Sequence, residues 1–225
     1  MIKAVLFDLD GTLLDRDETF RRFLYGQAQR FVDFVGKGRV CMYVERALVI
    51  DRHGHEPRPA LFERLASELG LKTQAGEKLH RDFEERFPED CVPFPRAAEV
   101  LDSLIDQGLK TGLITNGWEG IQQRKVAELP FLSRMDVILI SGEERVRKPD
   151  AEIFRRALHR LSLEPREAVF VGDNPETDID GGRNAGLWSV WKETPHADPP
   201  HEVDGVIGEL DELLPLIAEL QERAA

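Results

Sequence analysis

Ala4-Val5-Leu6-Phe7-Asp8-Leu9-Asp10-Gly11-Thr12-Leu13 decides how the rest of the chain is read. Four apolar residues run into two aspartates two positions apart, with a glycine and a threonine directly after them. The apolar run predicts a strand buried on both faces, as in a parallel sheet. On a strand, residues i and i+2 point the same way, so Asp8 and Asp10 are expected to address one site. Gly11 permits a tight turn after them. Carboxylates at the C-terminal end of a parallel strand sit where open α/β sheets place their chemistry.

Beyond Leu14 the apolar period changes. Phe20, Phe23, Leu24, Ala28, Phe31, Phe34 and Val35 recur at spacings of three and four, which predicts one long helix ending at Gly36-Lys37-Gly38. Further helices are expected around Val40 to Leu48, Leu61 to Leu69 and Leu79 to Phe87, with a polar loop over residues 51–59. From there strands and helices alternate. Strands are expected at 111–115, 137–140, 168–171, 187–190 and 205–207. The helices between them are expected at about 96–107, 119–128, 149–161, after 171 as far as 185, and 211–223, with Pro149 in a first turn. The expected fold class is α/β: residues 1–14 and 92–225 form a doubly wound parallel-sheet, Rossmann-like core, and residues 15–91 form an inserted all-helical domain.

The composition, 41% hydrophobic and 32% charged over 225 residues, is that of a soluble globular protein. No run reaches the roughly 18 apolar residues of a membrane span. The first residues enter a strand without a signal-peptide pattern, and Cys41 and Cys91 form no close motif, so a reducing, cytoplasmic setting is expected. The net charge of -12 argues against a nucleic-acid partner or an anionic membrane surface. A site for a phosphorylated molecule would then need local positive charge from a metal, a lysine or backbone N–H groups.

Three later stretches carry chemistry. Thr115-Asn116-Gly117 ends a predicted strand and is either a set of donors for a phosphate oxygen or an ordinary Asn-Gly turn. Lys148, ahead of Pro149, is held extended at a helix entrance, where it can meet a phosphate and a carboxylate or remain a surface lysine. Gly172-Asp173-Asn174-Pro175-Glu176-Thr177-Asp178 delivers a second acidic strand tip, and Asp173 and Asp178 are either oxygen ligands suited to Mg2+ or helix caps. His53 and His55 form an H-x-H pair without companion ligands and are read as loop surface. Trp118 either stacks on a substrate ring beside the phosphate site or packs in the core or between cap and core.

Asp8-Leu9-Asp10-Gly11-Thr12-Leu13, Thr115-Asn116-Gly117, Lys148 and Gly172-Asp173 through Asp178 resemble, in order, the four motifs of the haloacid dehalogenase superfamily of phosphohydrolases. The resemblance covers nearly the whole chain, and the helical insert falls where subfamily I carries its cap. Thr115-Asn116-Gly117 with Gln122, and the run on through Gly181-Gly182 and Asn184-Ala185-Gly186, is similar to the branch of pyrimidine nucleotide phosphatases and N-acylneuraminate-9-phosphatases. The resemblance implies that Asp8 is a nucleophile that becomes an aspartyl-phosphate and that Asp10 is the acid–base. It implies Mg2+ on the Asp8 side chain, the Asp10 carbonyl and Asp173, with Asp178 supporting the ion. It also implies a phosphoryl group bound by Thr115, the Asn116 backbone and Lys148, with Gly117 letting the backbone N–H groups approach. The implied substrate is a small phosphorylated metabolite, a nucleoside monophosphate or a sugar phosphate, selected by the cap. A phosphomutase shares these motifs and stays open. A cap-lysine phosphonatase is not excluded, because Lys37 lies in the insert. Asp10 argues against a dehalogenase, and the intact set of Asp8, Asp10, Lys148 and Asp173 argues against a non-catalytic phospho-ligand regulator, since binding alone does not need an acid–base aspartate.

Overall fold

The computed structural model describes residues 1–54, 56–72, 74–89 and 91–224, so His55 lies outside the described residues. In chain order the main elements are β1 (Ala4–Phe7), α1 (Arg16–Arg30), α2 (Val40–Asp51), α3 (Arg58–Glu68), α4 (Ala75–Arg86), α5 (Ala97–Asp106) and β2 (Lys110–Thr115). They continue with α6 (Glu119–Glu128), β3 (Val137–Ile140), α7 (Ala151–Leu161), β4 (Ala168–Gly172), β5 (Trp188–Lys192), β6 (Gly205–Ile207) and α8 (Leu213–Arg223). Two compact units result: Met1–Asp15 with Pro93–Ala225, and Arg16–Val92.

The first unit is built on a six-stranded sheet of order β3-β2-β1-β4-β5-β6, parallel at each pairing. β1 is central, with Phe7 level with Leu113 of β2 on one side and Val171 of β4 on the other. Every residue of β1 and β4 is buried, as a strand covered on both faces requires. The sequence alternation explains the cover: α7 turns Ile153, Phe154, Ala157, Leu158 and Leu161 onto Leu139, Ile114 and Phe170. Each buried Ile, Phe or Leu among them contributes about 1.5–3 kcal/mol. The chain runs outward from β1 to β2 and β3, then returns to the far side of β1 as β4, so the winding direction reverses between β1 and β4. Open α/β sheets form their crevice at such a reversal.

The second unit is helical. Phe20, Phe23, Phe62, Phe83 and Phe87 form its aromatic centre, with Phe83 stacked on Phe87 at 4.6 Å and edge-on to Phe23 at 5.5 Å. Buried Asp82 is satisfied by Gln27 at 2.9 Å and by Arg30 at 2.9 and 2.7 Å, and Tyr43 donates to Gln27 at 2.6 Å. The 51–59 loop is less free than its polarity suggests. Asp51 at its start is buried and accepts from Arg16 at 2.8 Å, from the Gly54 N–H at 3.0 Å and from Arg58. Arg52 and His53 are left-handed, a costly conformation that the Asp51 contacts hold in place.

Several boundaries differ from the sequence expectation. The first helical run is broken: α1 ends at Arg30, and Val32–Val35 is a separate short helix after Phe31 leaves helical geometry. The apolar spacing continues across that break, so the pattern alone cannot show it. Pro149 is not in the first turn of α7; Asp150 is the N-cap, its side chain accepting the Glu152 N–H at 2.9 Å. The segment after β4 is a π-helical turn, Pro175–Asp180, followed by a four-residue helix, Gly181–Asn184. Side-chain spacing does not distinguish a π turn from an α turn over six residues.

Candidate active site

β1 ends at Phe7, and the Asp8 N–H still donates to the Val171 carbonyl of β4 at 2.9 Å, fixing Asp8 at the β1–β4 crevice. The chain then turns back on itself. The N–H groups of Thr12, Leu13 and Leu14 all donate to the Leu9 carbonyl, at 3.3, 3.0 and 2.8 Å. Gly11 has φ +85°, and a Cβ there would overlap the Asp173 carboxylate. Glycine is therefore required twice at this position, by conformation and by the approach of the second acidic strand tip.

Lys148 is 1% exposed, and its ammonium lies between Asp8 Oδ1 at 2.6 Å and Asp178 Oδ1 at 2.7 Å. Burial pulls the lysine down, but Asp178 and Asp8 outweigh it and hold it above the ordinary lysine range. The Asn116 side chain sets the position of Lys148, giving Nδ2–H to its carbonyl at 2.9 Å and taking its N–H at 3.0 Å. Asp178 reaches Lys148 because the π-helical turn folds back over β4. Its Oδ2 accepts the Asn174 N–H at 3.0 Å, and a Cβ on Gly172 would overlap its side chain.

Asp173 follows β4, its carbonyl held by Trp191 Nε1 at 2.9 Å. Carboxylate oxygens of Asp8, Asp173 and Asp178 lie within 4.8 Å of one another. Burial raises Asp8 to about 7 despite the pull of Lys148, with Asp178 and Asp10 adding to the rise. Burial, then Asp8 and Asp178, raise Asp173 to about 8. Among the described residues Asp173 forms no ion pair. Three hard oxygen donors thus stand together while one ammonium contacts only two of them, a donor set and charge deficit that fit a divalent cation such as Mg2+.

Asp10 has its own partners. Lys125 Nζ lies 2.7 Å from Oδ1 and 2.8 Å from Oδ2, and Gln122 Nε2 donates to Oδ2 at 3.0 Å. The same Gln122 nitrogen donates to Thr115 Oγ1 at 2.6 Å, so one amide joins the tip of β2 to Asp10. Lys125 and Gln122 are three residues apart on one face of α6, and both are buried.

The structure brings Asp8, Asp10, Thr115, Lys148, Asp173 and Asp178 together at the C-terminal ends of β1, β2 and β4 and the entrance to α7. Thr115 is buried, with its hydroxyl already accepting from Gln122. The Gly117 N–H donates to Ser141 Oγ at 3.0 Å, which braces the loop after β2. Trp118 caps α6 and is 81% exposed, so it does not pack in the core of its own unit. Lys125, Ser141 and Trp191 were not legible as site residues. Lys125 shares the helical face of Gln122, but nothing in the sequence shows that α6 turns that polar face inward.

A model of the haloacid dehalogenase-like hydrolases matches residues 2–186. A phosphoserine phosphatase of Thermus thermophilus is 33% identical over 165 residues, 69% of this chain and 63% of that protein, so the chain spans less than two thirds of it. The pyrimidine 5'-nucleotidase YjjG of Escherichia coli is 33% identical over 209 residues, 88% of this chain and 89% of that one. Among solved structures, a subfamily IA hydrolase of the same superfamily from Geobacter sulfurreducens superposes with a TM-score of 0.73 at 21% identity, covering 96% of both chains. That last likeness shows the fold.

Proposed function

The chain belongs to the haloacid dehalogenase-like hydrolase family, and from that premise we propose that it is a Mg2+-dependent phosphatase of small phosphorylated metabolites, working through an aspartyl-phosphate. The names of the relatives, a phosphoserine phosphatase and a pyrimidine nucleotidase, support a phosphate monoester as substrate. A nucleoside monophosphate or a sugar phosphate is the class proposed here.

One observation carries the reading. Asp8 is buried at the head of the crevice with its Oδ1 held by Lys148, while Asp10, two residues on, is held by a different cation, Lys125. Two carboxylates with separate partners can take two roles. Asp8 attacks phosphorus; the bond from phosphorus to the ester oxygen breaks, and that oxygen takes a proton from Asp10, leaving as the alcohol. Water then attacks the aspartyl-phosphate and gives its proton to Asp10. The bond from phosphorus to Asp8 breaks, releasing phosphate and restoring both side chains. Lys148 stays against Asp8 throughout and offsets the repulsion between that carboxylate and an anionic substrate. Asp8, Asp173 and the Asp10 carbonyl, with Asp178 beside them, would hold the metal. When bound, Mg2+ supplies charge neutralisation for the transferring phosphoryl group.

The test is phosphate release from a panel of nucleoside monophosphates, sugar phosphates and aryl phosphates. Turnover is expected with Mg2+ and none after chelation. Asp8→Asn is expected to abolish it, and Asp10→Asn to slow it by about 10²–10⁴-fold. Full activity in chelator, or in Asp8→Asn, would overturn the reading.

A further inference from the structure

Lys125 is buried in α6, a helix that contributes no residue to the acidic cluster. A buried lysine needs a partner, and this one has Asp10, with both carboxylate oxygens at 2.7 and 2.8 Å. Gln122, one turn earlier on the same face, adds a third bond to that carboxylate at 3.0 Å. An Asp side chain has two rotatable bonds, and three bonds from one helix face remove most of that freedom. The second bond of Gln122, to Thr115 Oγ1 at 2.6 Å, ties the arrangement to the end of β2. The alternative use of Lys125, as a support for Asp8, is already filled by Lys148.

We propose that Lys125, together with Gln122, is a positioning residue that holds the Asp10 carboxyl where it exchanges a proton with the leaving-group oxygen. The inference rests on the phosphatase reading and adds to it a second lysine acting through the acid–base rather than on the phosphoryl group. Proton transfer in the transition state requires heavy atoms within hydrogen-bond reach, so a carboxyl free to swing loses rate without loss of phosphate binding. The loss depends on the leaving group. A strongly acidic phenol departs as its anion without help, whereas an alkoxide or an unsubstituted phenoxide needs the proton.

The experiment is kcat/KM for wild type, Lys125→Met, Lys125→Gln, Lys125→Arg and Asp10→Asn over a series of ring-substituted phenyl phosphates. This parameter covers only steps up to leaving-group departure, so water attack does not enter it. Lys125→Met and Lys125→Gln are expected to lose about tenfold or more on phenyl phosphate and about twofold or less on dinitrophenyl phosphate, steepening the leaving-group dependence toward that of Asp10→Asn. Lys125→Arg, which keeps the cation, is expected to restore most of the loss. Asp10 is partly exposed, so water can replace the lost bond; Lys125→Gln gives the same readout if Lys125→Met does not fold. A uniform loss across the series, or none, with Asp10→Asn still steep, would overturn the role of Lys125 and leave the phosphatase reading standing. A wild-type slope in Asp10→Asn would remove the acid–base reading itself, and the proposal with it.

Discussion

Replacing Lys148 with methionine removes the one ammonium that Asp8 and Asp178 share, while conserving an unbranched side chain of similar length. The lysine is 1% exposed, and its two contacts, 2.6 and 2.7 Å, are short enough to be charge-assisted hydrogen bonds. Without it, Asp8 and Asp178 lose the ammonium they share, with the Asp173 carboxylate close beside them. Breaking a buried pair by deleting one partner costs about 3–5 kcal/mol, because the remaining charge is stranded. For a chain of this size each kcal/mol moves the midpoint by about 2–4 °C, so Lys148→Met should lower Tm by about 6–20 °C. The assay is thermal unfolding in chelator at a pH above the raised values of Asp8 and Asp173, so that neither a metal nor a proton compensates, for Lys148→Met, Asp178→Asn and the double variant. Asp178→Asn removes one of the stranded charges, so the double variant should be less destabilised than the sum of the singles by about 1 kcal/mol or more. A Lys148→Met midpoint within about 2 °C of wild type, with additive singles, would refute the buried three-residue ion cluster.

Other consequences are local. Gly11→Ala should weaken apparent Mg2+ affinity by about tenfold or more, read from the metal dependence of turnover, because its Cβ displaces the Asp173 carboxylate and alanine at φ +85° is strained. Unchanged metal dependence would contradict that geometry. Thr111→Val should raise unfolding free energy by about 1 kcal/mol in a denaturant titration, since Thr111 is fully buried on β2 and its hydroxyl has no hydrogen-bond partner among the described residues. Trp118→Ala should change the ratio of kcat/KM between a nucleoside monophosphate and a small aryl phosphate, with Tm unmoved, because the ring is exposed beside the β2 tip. Equal losses on both substrates would take Trp118 out of substrate selection.

The sequence made the α/β architecture readable because its strands are short apolar runs ending in chemistry-bearing residues. Ala4–Phe7 and Val137–Ile140 fall where the runs place them, as does the helix Glu119–Glu128. Gathering Asp8, Lys148 and Asp173 at one crevice followed from their places at strand ends and a helix entrance. What escaped was set by tertiary structure. The inward turn of Lys125 depends on how α6 lies on the sheet, which helical spacing alone does not specify. The π-helical turn that carries Asp178 back over Gly172 has no side-chain signature. The bond from the Gly117 N–H to Ser141, 24 residues later, has no sequence signal either. Asp51 looks like a loop aspartate, but Arg16 and Arg58 converge on it from separate helices and bury it.

The central claim is that Asp8 forms a covalent phosphoryl intermediate. Borohydride reduction of an aspartyl-phosphate converts that aspartate to homoserine, which mass spectrometry of the digested protein locates to a single residue. Quenching the enzyme during turnover of its best phosphate ester with Mg2+ should give homoserine at position 8, absent without substrate and absent in Asp8→Asn. Steady phosphate release with position 8 unmodified would contradict the account.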